Sequence, residues 1–118
     1  MPKFPYKAEF YDKPDGTEPA KDFLDTLDAK MFAKLIRAID VIKAGGTSVR
    51  EPYSKHLDDG IFEVRAKVST NISRVLYFFY NGKRFILTHG FIKKTPQSEI
   101  NRAKQYRAEY LNRKKSNK

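Results

Sequence analysis

The 118-residue chain predicts an α+β fold: an antiparallel sheet of about four strands, an N-terminal helical hairpin on one face of it, and a C-terminal helix. Three observations carry that expectation. Runs of strand character follow one another between 61 and 92, joined only by the short turn signals "STN" and "NGK". Upstream, apolar residues recur at spacings of three and four between 19 and 44, which is the period of a helix rather than a strand. Downstream, "TPQSE" places a proline just ahead of a glutamate, a pattern that starts helices.

The elements follow in order. "FPYKAEFY" (4–11) is aromatic-rich and loosely alternating, a first strand; "DKPDGTEP" carries two prolines and a glycine and reads as a loop. Leu24, Leu27, Met31, Leu35, Ala38 and Ile42 then form one apolar stripe, with Asp28 and Ala29 as a junction between two helices and Gly45-Gly46 as the stop. "TSVREPYSKHLDDG" reads as irregular, ending in an Asp-Gly turn. "IFEVRAKV" (61–68), "ISRVLYFFY" (72–80) and "RFILTHGFI" (84–92) are the strand runs, and their short connections make them antiparallel. A last helix spans 96–114 with only Ile100, Ala103 and Tyr110 as its apolar stripe, so it is expected to pack weakly, and the basic tail from about 113 is expected to be disordered. The first strand is expected to join the meander in one sheet and the helical segment to cover one face, a two-layer arrangement in a single domain over 1–118.

Composition narrows the function. The chain has no cysteine, which removes disulfides and thiolate metal sites, and no apolar run long enough to span a bilayer. A soluble, cytoplasmic protein is the expectation. Twenty-four basic residues stand against fourteen acidic, a formal charge of +10. The excess is uneven: residues 1–30 hold five basic and seven acidic side chains, a net −2, and residues 31–118 hold nineteen and seven, a net +12. A field of that sign attracts phosphates, acidic protein segments or anionic surfaces. No glycine-rich phosphate loop, no histidine pair at metal spacing and no nucleophile elbow is present. His56 and His89 are the only histidines, and either qualifies as a general acid or base because imidazole titrates near neutral pH.

The strand charges are more specific. A period of two puts Phe62, Val64 and Ala66 on one face of "IFEVRAKV" and Ile61, Glu63, Arg65 and Lys67 on the other. If the hairpin closes at Ser69-Thr70, Arg65 faces Arg74 and Glu63 faces Leu76. Two arginines paired across strands repel unless an anion lies between them, and guanidinium binds phosphate oxygens bidentately; the alternative is a solvated sheet face on which Glu63 neutralises one arginine. Lys93 and Lys94 leave the end of the same meander where the last helix begins; either the four cations form a concave anion site, with the helix N-terminus adding partial positive charge, or the lysines are a solubilising pair guarding a strand end.

"KHLDDGIFEVRAK" followed by "SRVLYFFYNGKRFILTHGFIKKTPQSEINRAKQYRAEY" resembles the RelE/HigB toxin superfamily of type II toxin–antitoxin modules, in its HigB-like, phage-derived branch. The pieces that carry the resemblance are "DGIFEVR", "RVLYFF" and "HGFIKKTPQSEI", in that order. It implies a ribosome-dependent mRNA endonuclease that enters the ribosomal A site and cuts mRNA without metal or cofactor, the 2′-hydroxyl attacking the adjacent phosphate. Arg65 and Arg74 match the strand arginines that hold the scissile phosphate, and Lys93 and Lys94 match the basic pair after the last strand. Glu63 or His89 is the candidate proton acceptor, and the base stays open. Lys55, His56, Lys67 and Arg102 are the expected RNA- and ribosome-binding set. Tyr106 and Tyr110 lie where some relatives carry a functional tyrosine or histidine. The resemblance also implies a HigA-like helix-turn-helix antitoxin, with a heterotetrameric complex on operator DNA. Two alternatives stand beside this reading: a non-nucleolytic toxin of the same fold that poisons gyrase, and a non-enzymatic basic RNA-binding regulator.

Overall fold

Asp28 starts the second helix of the hairpin, three residues after the first ends at Asp25. Its carboxylate accepts a hydrogen bond from the Met31 amide at 2.9 Å, capping the helix that follows and leaving a short corner behind it. The computed structural model describes residues 4–92 and 94–116. Among them are β1 (Lys7–Phe10), α1 (Pro19–Asp25), α2 (Ala29–Gly45), β2 (Ser54–Asp58), β3 (Ile61–Val68), β4 (Asn71–Tyr80), β5 (Arg84–Phe91) and α3 (Gln97–Ser116), with one 3₁₀ turn at Gly46–Ser48. The helical hairpin, the three-strand meander and the last helix stand where the sequence put them.

The sheet differs from expectation in two ways. It has five strands in the order β1-β5-β4-β3-β2, and it is mixed, because β1 runs parallel to β5. The extra strand, β2, comes from the stretch read as irregular. Its residues Lys55, His56 and Asp58 are exposed at the sheet margin, so no apolar alternation marks it. What builds it is the turn: Asp59 and Gly60 both take positive φ, and the chain folds back along β3 with a bulge between His56 and Asp58. Asn81 and Gly82 likewise sit at positive φ between β4 and β5, the backbone that a type I′ turn requires.

Helices cover both faces, giving three layers instead of two. On one face Val64, Ala66, Val75, Tyr77, Phe85 and Leu87 pack against Leu24, Met31, Leu35, Ala38 and Ile42 of the hairpin. Gly90 lets α1 approach closely: a Cβ there would lie 2.2 Å from Phe23 Cδ2. On the other face α3 lays Ala103 and Tyr110 over Ile61, Leu76, Phe78 and Ile86. Its thin apolar stripe is supplemented by ion pairs, Lys104 with Asp58 at 2.6 Å and Arg107 with Asp59 at 2.9 Å. The helix also continues through Ser116, past the point where disorder was expected. Arg113 anchors that end by bonding the Asp12 carboxylate at 3.1 Å and the Asp12 carbonyl at 2.6 Å, tying the last turn to the loop after β1. Among the described residues no helix is long and apolar enough to cross a membrane.

Candidate functional site

The three meander strands place their charged residues in two rows on the face that α3 covers. In the first row Glu63 pairs with Leu76 and Leu76 with His89; in the second Arg65 pairs with Arg74 and Arg74 with Phe91. The register is the one that closure at Ser69-Thr70 dictates, since Val68 pairs with Asn71. Arg65 and Arg74 therefore face each other on neighbouring strands, as the alternation predicts.

What separates them is a buried carboxylate. Glu63 is 2% exposed, and its Oε2 lies 3.3 Å from Arg74 Nε and 3.6 Å from Arg65 Nη1. Its Oε1 accepts from the Thr95 hydroxyl at 2.5 Å. A charge so far from water persists only when paired and hydrogen-bonded on every side, and here two guanidiniums and a hydroxyl do both. Arg74 is 11% exposed and Arg65 26%, so the pair forms the rim of the buried cluster. Arg65 takes a second carboxylate from outside: Glu51 Oε1 lies 3.1 Å from Nη2, and Glu51 is 59% exposed. Lys94, one residue before Thr95 in the loop ahead of α3, is exposed and pairs with no described acid. Lys93 lies outside the described residues.

His89 sits one row deeper. Its Nε2 is 3.0 Å from Glu99 Oε1 in the first turn of α3, and its Nδ1 is 3.1 Å from Thr88 Oγ1. Burial pushes its pKa below the ordinary imidazole value, against the pull of Glu99 in the other direction. The ring is thus neutral at pH 7, with its proton on Nε2, because a carboxylate accepts and cannot donate. In the free chain Glu63 and His89 are both buried and fully bonded to protein groups, so neither faces solvent as an open proton acceptor.

The other expected residues divide. Lys55 is opposite Glu63 on β2, and Lys67 follows Arg65 on the same face of β3. Arg102 reaches Glu99 at 3.9 Å from the next turn of α3. His56 points the other way: it pairs with Phe62, its ring packs edge-on against that phenyl at 5.0 Å, and its Nε2 accepts from the Gly60 amide at 3.2 Å. It belongs to the hairpin turn, not to the arginine row. Tyr110 is buried under α3, edge-on to Phe78 and Tyr80, and Tyr106 stacks on Tyr11 at 4.8 Å, so both tyrosines serve the packing of the helix. Three partners escaped the sequence reading: Glu51, Thr95 and Glu99. Each lies on a different loop or helix from the residue it holds, and only Glu99 was marked, as a helix-start residue. Among the described residues no cluster of three or more acidic or histidine side chains is placed to hold a metal ion.

The geometry amounts to a guanidinium pair, held in register by one buried carboxylate, at the margin of a strongly basic chain. The family described as phage-derived protein Gp49-like (DUF891) matches residues 22–108, a stretch that contains every residue of this cluster. No curated protein matches the chain.

Proposed function

The chain belongs to the phage-derived Gp49-like family, a toxin-type family of toxin–antitoxin systems, and on that premise we propose that it is a ribosome-dependent mRNA endonuclease. The observation that carries the reading is the Arg65–Arg74 pair. Two guanidiniums facing one another across a ladder form a two-pronged site for a phosphodiester, which can accept from both at once. Charge that grows on the nonbridging oxygens during displacement is then met by fixed cations. Lys94 adds a third from the loop, and Lys93 is proposed to act beside it. Lys55 and Lys67 share the sheet face of the pair, Arg102 lies beside Glu99 on α3, and all three are proposed as RNA contacts.

The chemistry follows from those positions. The 2′-oxygen forms a bond to phosphorus as the bond from phosphorus to the 5′-oxygen breaks, leaving a 2′,3′-cyclic phosphate and a free 5′-hydroxyl. DNA lacks the attacking group, so the reaction is confined to RNA. One proton leaves the 2′-hydroxyl and one reaches the 5′-oxygen. Of the two candidates for acceptor, Glu63 is better placed than His89. Its Oε2 is held by the two guanidiniums that a phosphate would engage, and that exchange frees an oxygen beside the reacting group. Both nitrogens of His89 stay bonded to Thr88 and Glu99, and the ring is proposed to hold the start of α3 in place.

Primer extension on a reporter mRNA in a purified translation system tests the proposal. Cuts are expected only during translation, and Arg65→Ala is expected to abolish them; because Arg65 also compensates the buried Glu63, circular dichroism at the assay temperature checks that the variant is folded. Intact mRNA with active ribosomes, or undiminished cutting by the Arg65→Ala protein, overturns it.

A further inference from the structure

Beside Arg65 runs a groove of about 500 Å³ between α2, the turn before β2 and the far half of β3. It exists because β2 is short. The β2–β3 ladder ends at Ser54 and Val64, with one further bond from the Arg65 amide to the Tyr53 carbonyl at 3.1 Å, while β3 continues to Val68. Over its last residues β3 therefore has β4 on one side and no strand on the other. Lys34 of α2 donates to the Lys67 carbonyl at 2.7 Å, in the place a neighbouring strand's amide would take. The open edge is about three to four residues long, near 10–13 Å at the rise of a strand.

The walls state what fits. Every charged residue lining the groove is a cation: Lys34 and Arg37 from α2, Arg65 and Lys67 from β3. Its apolar lining is Ala38 of α2, Ala66 and Ile72 of the sheet margin, and Pro52 with the half-exposed ring of Tyr53 at one end. At Arg65 a carboxylate from outside the sheet is already seated, that of Glu51. We propose that this groove docks an extended protein segment of alternating acidic and apolar residues, which adds as a strand to β3 and replaces Glu51 on Arg65 with a carboxylate of its own. An extended peptide offers main-chain N–H and C=O groups to the β3 edge, one N–H replacing Lys34 at the Lys67 carbonyl, and apolar side chains for the apolar lining. An RNA strand supplies neither along its backbone, so the cations alone do not assign the groove to it. Membership of a toxin–antitoxin family implies an antitoxin partner, and the groove names the chemistry such a partner brings. A segment seated here blocks RNA, because Arg65 cannot hold its carboxylate and a phosphate together. That consequence rests on the role of Arg65 proposed above; the docking surface does not.

The probe is a synthetic peptide of about ten residues alternating glutamate with valine or threonine, titrated into the ¹⁵N-labelled full chain, with a glutamine-for-glutamate version as control. Amide shifts are expected along 65–68, at Tyr53 and in α2 around Arg37, and the glutamine peptide should leave them unmoved. Lys34→Glu and Arg37→Glu are solvent-side changes that keep the fold, checked by melting temperature, and each should weaken binding about tenfold. No shift, shifts on the α3 face instead, or equal binding of the glutamine peptide overturns the proposal. So does an uncleavable 2′-O-methyl oligonucleotide that moves the groove amides when the peptide does not. Primer extension with peptide-saturated protein separates the parts: unimpeded cutting removes the blockade and leaves the docking site. Loss of cutting by the free protein speaks against the nuclease and leaves the docking result as it stands.

Discussion

Replacing Glu63 by glutamine keeps the shape of the side chain and removes its charge, which leaves Arg65 and Arg74 facing each other with no buried anion between them. Oxygen-to-nitrogen distances of 3.3 and 3.6 Å correspond to about 5 kcal/mol of gross attraction each at an effective dielectric constant near 20. Desolvation of a carboxylate only 2% exposed offsets much of that, and the amide oxygen still accepts from one guanidinium or from Thr95. What remains, together with the repulsion now uncovered, comes to about 3 kcal/mol. With a denaturant slope of roughly 1–1.5 kcal/mol per molar for a chain of this size, the urea midpoint should fall by about 2–3 M. A second arm of the assay asks whether the arginines are an anion site. Sulfate or phosphate at matched ionic strength should restore the variant's midpoint more than chloride does, because only a multidentate anion bridges the two guanidiniums. A midpoint within about 0.3 M of wild type would refute the account of Glu63 as the group holding the cations. Equal rescue by chloride would refute the anion site.

His89 makes stability depend on pH. Its folded pKa lies below the ordinary 6.5, so the unfolded chain binds more protons, and stability present above that value is lost as pH falls toward the folded pKa. Urea unfolding between pH 7 and 5 should show this loss at no more than about 1.4 kcal/mol per pH unit from this group, with a smaller slope in His89→Asn; Glu99 and Arg102, which face the ring, are unchanged in that comparison. Tyr110→Ala should cost about 3–5 kcal/mol, because the ring fills the contact between α3 and the sheet edge-on to Phe78 and Tyr80. Hydrogen exchange should accelerate through α3 before it does in β3–β5; uniform acceleration would contradict a helix held mainly by that contact.

The meander was legible because everything that decides it is local. Alternation assigns the faces of β3 and β4, and the turn at Ser69-Thr70 sets the register, so the opposition of Arg65 and Arg74 follows from adjacent residues. The helical hairpin was legible for the same reason, through its stripe and its Asp28 cap. β2 was hidden because an edge strand with polar residues on both sides carries no alternation, and only the Asp-Gly turn after it gave a sign. The parallel pairing of β1 with β5 was hidden because the partners lie at opposite ends of the chain.

Within the site the division is the same. Sequence alone determined that two guanidiniums share one sheet face with a glutamate two residues from one of them, since strand geometry repeats every two residues whatever the rest of the chain does. Tertiary structure decided how those charges are compensated. Glu51 reaches Arg65 from the turn before β2, Thr95 reaches Glu63 from the loop before α3, and Glu99 reaches His89 from α3 itself. It also decided that α3 covers this face, burying Glu63 and His89 while leaving Arg65 at the rim, and that the outer edge of β3 stays open beside it. Electrostatic compensation depends on separations of a few ångströms between groups far apart in sequence, and those are set by how the layers pack, which no local period records.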